Sequence, residues 1–194
     1  LCDTFRYYLV MCFNKQYNQF SNKRKRNKIQ ENDMNYFNNL PVGNHTIIGE
    51  VNVYKDNSFA CAIGFLFENK YYVIDSMFGR DISVCKKEIS DMISKTDKTI
   101  VECPDVWFQL FRDIRVETNK DIRISRDVSN IQLRIDATSE LINKTFYFDN
   151  NYDNSENYLS FVENLLDCKK GESIQAANCL SGLCTYLQRN YNLR

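Results

Sequence analysis

Three β-favouring runs, Thr46–Val53, Phe59–Phe67 and Tyr71–Phe78, follow one another across two short polar turns. Lys55-Asp56-Asn57-Ser58 and Glu68-Asn69-Lys70 are turn formers too short to hold anything but hairpin connections. The expectation is a three-strand antiparallel meander. After it the periodicity changes. Ile82, Cys85, Ile89, Met92 and Ile93 recur at helical spacing, and Thr99–Glu102 is again a strand. Val106, Leu110, Phe111 and Ile114 mark the next helix, and a short strand is expected near Ile122–Ile124. A helix carrying Ile131, Arg134, Ile135, Thr138, Leu141 and Ile142 comes next, then a brief strand at Thr145–Phe148. Amphipathic helices over roughly Ser155–Asp167 and Ser173–Gln188 finish the chain.

A meander that gives way to alternating helices and strands predicts a mixed sheet, with parallel strands joined through helical crossovers. Glu102 then occupies an informative place. Ile100 and Val101 carry it to the carboxyl end of its strand, and Pro104 breaks that strand. Open α/β sheets assemble their chemistry at such strand ends.

At 194 residues the chain suits one domain with a substantial core. We divide it into an N-terminal helical and linker segment, 1–45, and a main domain, 46–194. Residues 1–20 are rich in aromatics and read as a helix, and residues 31–39 as a short amphipathic helical turn with Met34 and Phe37 on one side. Between them lies a basic run containing Lys23, Arg24, Lys25 and Arg26, read either as a solvated linker or as a tether to a phosphate backbone. Basic and acidic residues balance at 25 each, so any nucleic-acid contact must come from such a local patch. The eight cysteines form no Cys-x-x-Cys pair, and with a single histidine, His45, they give no zinc cluster. They read as reduced, core-packing thiols of an intracellular protein. No apolar run approaches the length of a membrane span.

The element order is the ribonuclease H-like arrangement. Within it, Asn35-Tyr36-Phe37-Asn38-Asn39-Leu40-Pro41, Ile47-Ile48-Gly49-Glu50-Val51-Asn52-Val53, Lys70-Tyr71-Tyr72-Val73-Ile74-Asp75, Thr99 to Arg112 and Asn130-Ile131-Gln132-Leu133-Arg134-Ile135 resemble, in order and spacing, the C-terminal nuclease domain of the large terminase subunit of tailed bacteriophages. The likeness runs from about Met34 to the C-terminus. It implies metal-dependent endonucleolytic cleavage of concatemeric double-stranded DNA during viral packaging, with two Mg2+ or Mn2+ ions held by carboxylates. The implied partners are double-stranded DNA, an ATPase motor domain, a small terminase subunit and the portal. The implied location is the cytoplasm of the infected host cell. No Gly-x-x-x-x-Gly-Lys-[Ser/Thr] phosphate loop occurs, so the motor is expected before Leu1 or on another chain.

The family's acids converge from the first meander strand, the strand ending at Glu102 and the last helix. Only Glu102 keeps its carboxylate. Asn52 stands at the first-strand position, with Glu50 two residues earlier on the same strand face and Asp56 in the following turn as substitutes. Near the last helix Ile174-Gln175 and Asn178 replace acids, and Glu172 is the nearest remaining one. The resemblance therefore assigns Glu102, Asn52 and Glu172 as the catalytic positions. It makes Glu102, Glu50, Asn52, Asp56 and Glu172 the metal candidates, and Lys23, Arg24, Lys25, Arg26 and Arg134 the nucleic-acid contacts. Two readings stay open: an endonuclease with a shifted acid set, and a catalytically dead module that binds DNA, the portal or another partner protein. Another ribonuclease H-like nuclease, such as a junction resolvase, is a third.

Overall fold

The computed structural model describes residues 34–126, 130–166 and 174–194. The expected helix at 1–20, the basic run at Lys23, Arg24, Lys25 and Arg26, and Glu172 lie outside the described residues, as do Cys2, Cys12 and Cys168.

The meander forms as the turn chemistry predicts. Strands β2 (Ile47–Val53), β3 (Phe59–Phe67) and β4 (Lys70–Gly79) pair antiparallel in sequence. Asn57, Glu68 and Asn69 take the positive φ that the two tight turns require. A bulge between Ile63 and Gly64 shifts the β3–β4 register, and a Cβ on Gly64 would lie 2.0 Å from the Tyr72 carbonyl oxygen. Only glycine lets the two backbones meet there.

Helix α1 (Lys86–Ser94) returns the chain to β5 (Lys98–Glu102), which pairs parallel with β2. Helix α2 (Phe108–Thr118) leads to β6 (Asp121–Ser125), parallel to β5 at the sheet edge. Helix α3 (Ile131–Thr145) crosses back to β7 (Phe146–Asp149), which joins the far side of the meander, parallel to β4. Helices α4 (Glu156–Leu166) and α5 (Gln175–Tyr191) complete the fold.

One expected element is different. Asn35–Phe37 is a strand, β1, and not a helical turn. It pairs parallel with β7, Asn35 opposite Tyr147 and Phe37 opposite Asp149, while the Asn35 amide donates to the Asn143 and Phe146 carbonyls. Phe37 packs edge-on against Tyr72 at 5.6 Å. A three-residue segment has too little intrinsic preference to resist such pairing. The resulting seven-strand order is β1-β7-β4-β3-β2-β5-β6, a mixed sheet with the ribonuclease H-like plan.

Strand alternation separates two cores. Ile48, Ala60, Ala62, Tyr71 and Val73 face α3, α4 and α5, where Ile135, Phe161, Leu180 and Leu183 are buried. Val51, Val53, Phe59, Cys61 and Ile63 face the opposite way, against Ile89, Ile93, Phe111 and Ile114 of α1 and α2. Cys61, Cys179 and Cys184 are buried thiols, as their apolar settings predict. Asp75 pairs with Lys95 at 2.9 Å in a partly exposed ion pair. No helix among the described residues is long and apolar enough to cross a membrane.

Candidate functional site

Period-two alternation that buries Val51 and Val53 on one face turns Glu50 and Asn52 to the other, beneath α5. The parallel β2–β5 register sets Asn52 directly opposite Glu102. The first turn of α5 brings Asn178 over the same point, and the first turn of α3 brings Arg134. The expected meeting of first strand, Glu102 edge and terminal helix is therefore present. Glu50, Asn52 and Asn178 are each no more than 1% exposed, and Glu102 is 9% exposed.

Arg134 organises this pocket. Its Nη1 donates to Glu102 Oε1 at 2.5 Å. Its Nη2 donates to the Asn178 side-chain oxygen, with longer contacts to Asn52 Oδ1 at 3.4 Å and the Asn178 carbonyl at 3.5 Å. The amides close the network. Asn178 Nδ2 donates to Asn52 Oδ1 at 2.8 Å and to the Tyr54 hydroxyl at 2.7 Å, while Asn52 Nδ2 donates to Glu50 Oε1 at 2.7 Å. The guanidinium expected to face a phosphate backbone is instead turned inward, because Glu102 is a buried anion that needs a cation beside it.

Burial pushes the Glu50 carboxyl well above the usual carboxylate range, and the neighbouring Glu102 adds to that push; Arg134 and the Asn52 amide pull it partly back. Burial also opposes the charge on Arg134, but the bond to Glu102 and the fields of Glu50 and Glu102 outweigh it and raise its pKa. Arg134 thus sits between Glu102, which it contacts directly, and a Glu50 carboxyl that burial drives toward its neutral form.

Two divalent ions do not fit the donor set that the described residues supply, which does not include Glu172. Among the described residues no group of three or more His, Cys, Asp or Glu side chains could hold a metal. The pocket offers two carboxyls, one of them paired with Arg134, and the side-chain oxygens of Asn52 and Asn178 are already engaged by N–H donors. Neutral amides do little to offset the repulsion between two dications. Asp56 does not join the cluster; its Oδ1 accepts from the Ser58 backbone N–H and hydroxyl in the β2–β3 turn, at 3.1 and 2.7 Å.

Two participants escaped the sequence reading, and each had a signal. Tyr54 lies two residues beyond Asn52, the spacing that keeps a strand face. Gly182 stands one helical turn after Asn178, and a Cβ there would lie 1.8 Å from Glu50 Oε1. The helix admits the buried glutamate only because that position has no side chain.

No protein-family model matches the sequence, and no curated protein does. Solved structures do share its fold. The large terminase of a thermophilic bacteriophage matches over 82% of this chain at 9% identity, with a TM-score of 0.52. The human cytomegalovirus terminase nuclease domain, Mn soaked and inhibitor bound, matches over 76% of this chain and 84% of its own length, at 12% identity and a TM-score of 0.51. The present chain spans 43% of the phage protein's length. The architecture is thus that of the terminase nuclease domains, within the ribonuclease H-like fold.

Proposed function

We propose that this chain is a terminase-nuclease-like module that holds double-stranded DNA in a viral packaging system without hydrolysing it. The observation that carries the reading is the Arg134 guanidinium seated among Glu102, Asn52 and Asn178. A two-metal nuclease needs dense negative charge at that point to collect Mg2+ or Mn2+ and activate water. This pocket holds a cation of its own and two amides where the resemblance implies aspartates.

DNA contact on this reading is electrostatic and sequence-independent, with Lys23, Arg24, Lys25 and Arg26 as the densest run of positive charge. An ATPase motor, a small terminase subunit and the portal are the protein partners the same reading implies, in the cytoplasm of the infected cell.

Plasmid nicking in Mn2+, together with fluorescence anisotropy on a labelled duplex at rising salt, tests the proposal. The expected result is intact plasmid, with duplex binding that weakens steeply with salt and when the four basic residues are replaced by Gln. Mn2+-dependent nicking that disappears in Glu102→Ala would overturn it in favour of an endonuclease built on Glu50, Glu102 and Glu172. Intact plasmid without duplex binding would overturn the DNA-holding role.

A further inference from the structure

The non-hydrolytic reading leaves open what the former acid site now does, and the following inference rests on that reading. We propose that the Arg134 guanidinium is a built-in counter-ion in the place of a divalent cation, holding closed a latent cation site formed by Glu50, Glu102, Asn52 and Asn178.

The first argument is reach. From α3 the guanidinium contacts Glu102 on β5, Asn52 on β2 and Asn178 on α5. A divalent ion bound by the same three residues would tie the same three elements together. The second is donor chemistry. Two carboxyls and two amide oxygens are hard ligands of the kind that Mg2+ and Mn2+ select, once the arginine is gone.

The third is the imperfect fit of the arginine itself. Arginine and carboxylate favour a bidentate fork with two parallel N–H···O bonds. Here only Glu102 Oε1 is engaged, while Glu102 Oε2 and Arg134 Nε are buried without a hydrogen-bond partner among the described residues. Glu50, fully buried, also leaves its Oε2 without one. Buried polar atoms rarely stay unpaired. The unused carboxylate oxygens are the acceptors that a cation would take up once the guanidinium is removed.

The experiment compares wild type, Arg134→Met and the double variant Arg134→Met/Glu102→Gln by thermal denaturation with EDTA, MgCl2 or MnCl2, and by Mn2+ EPR. Wild type should melt at the same temperature in all three and leave Mn2+ free. Arg134→Met should melt roughly 10 °C lower in EDTA, because Glu102 is left buried and uncompensated. It should regain much of that loss in MnCl2 and immobilise Mn2+. The double variant should recover stability without metal and ignore MnCl2, a reversal that loss of packing alone would not produce.

If Arg134→Met does not fold in EDTA, circular dichroism after Mn2+ addition becomes the readout. Folding then supports the proposal, and an unfolded chain in saturating Mn2+ overturns it. A wild-type melting temperature raised by Mn2+, or a folded Arg134→Met that neither binds Mn2+ nor is rescued by Glu102→Gln, overturns it too. Plasmid nicking by wild type would sink the non-hydrolytic reading instead, and leaves the results for the arginine variants distinguishable from it.

Discussion

Arg134 Nη1 lies 2.5 Å from Glu102 Oε1, with the two side chains only 10% and 11% exposed. The pair spans α3 and β5, where the Asn52 and Asn178 side chains also meet. A surface pair of the same length would contribute little; this one is out of water, so separating its partners is costly.

Glu102→Gln should therefore destabilise the protein by about 3 kcal/mol, by leaving the guanidinium buried without its anion. Urea denaturation should show a lower midpoint with an unchanged slope. A loss below about 1 kcal/mol would mean that Arg134 swings to solvent and that the pair is not a fixed part of the fold.

Glu50→Gln should act in the opposite direction. Burial and Glu102 raise the Glu50 pKa in the folded state, so the folded chain binds that proton more tightly than the unfolded chain does. The contribution of this group to stability is then greatest below the unfolded value of about 4.3 and falls as pH rises toward the raised folded value. Glutamine keeps an oxygen to accept from Asn52 and has no such slope. Relative to wild type, Glu50→Gln should gain stability as pH climbs from about 4 to 7. Parallel stability profiles for the two proteins would show that Glu50 is ionised as readily folded as unfolded.

Much of this geometry was legible in the sequence, for physical reasons that also explain what was not. The meander follows from two polar turns too short to cross the sheet. The shared face of Glu50 and Asn52 follows from strand period, and the place of Glu102 from the proline that stops its strand. Arg134 was visible as one basic residue among Ile131, Ile135, Thr138 and Ile142 on a helix face, but a face does not name its partner. Only the crossover of α3 beside α5 turns that arginine onto β5. The pairing of β1 with β7 joins residues more than 100 apart in sequence. Three residues of Asn-Tyr-Phe carry no local signal strong enough to reveal it.

Asn178→Ala should cost about 3 kcal/mol although it removes no charge. The side chain donates to Asn52 and the Tyr54 hydroxyl and accepts from Arg134, all within a pocket closed to water. Truncation strands several of these groups at once, and a stranded buried group costs more than a hydrogen bond contributes. The loss should shrink in an Asn52→Ala background, because the two amides serve one network. Additive losses from the two substitutions would show that they act independently.

Gly182→Ala separates helix propensity from the demands of the pocket. Alanine in a helix interior is favoured over glycine by about 1 kcal/mol, so an unconstrained site would gain. At this position the new methyl would meet the Glu50 carboxyl, 1.8 Å from Oε1, and that side chain has no solvent to retreat into. The expected net effect is a loss of roughly 1–3 kcal/mol by overpacking, measured by urea denaturation. Combined with Glu50→Ala the sign should reverse. The space vacated by the carboxyl accepts the methyl, and the double variant should be more stable than Glu50→Ala alone by up to about 1 kcal/mol. Gly182→Ala stabilising the protein on its own would mean that α5 stands further from β2, and that Glu50 is not packed beneath it.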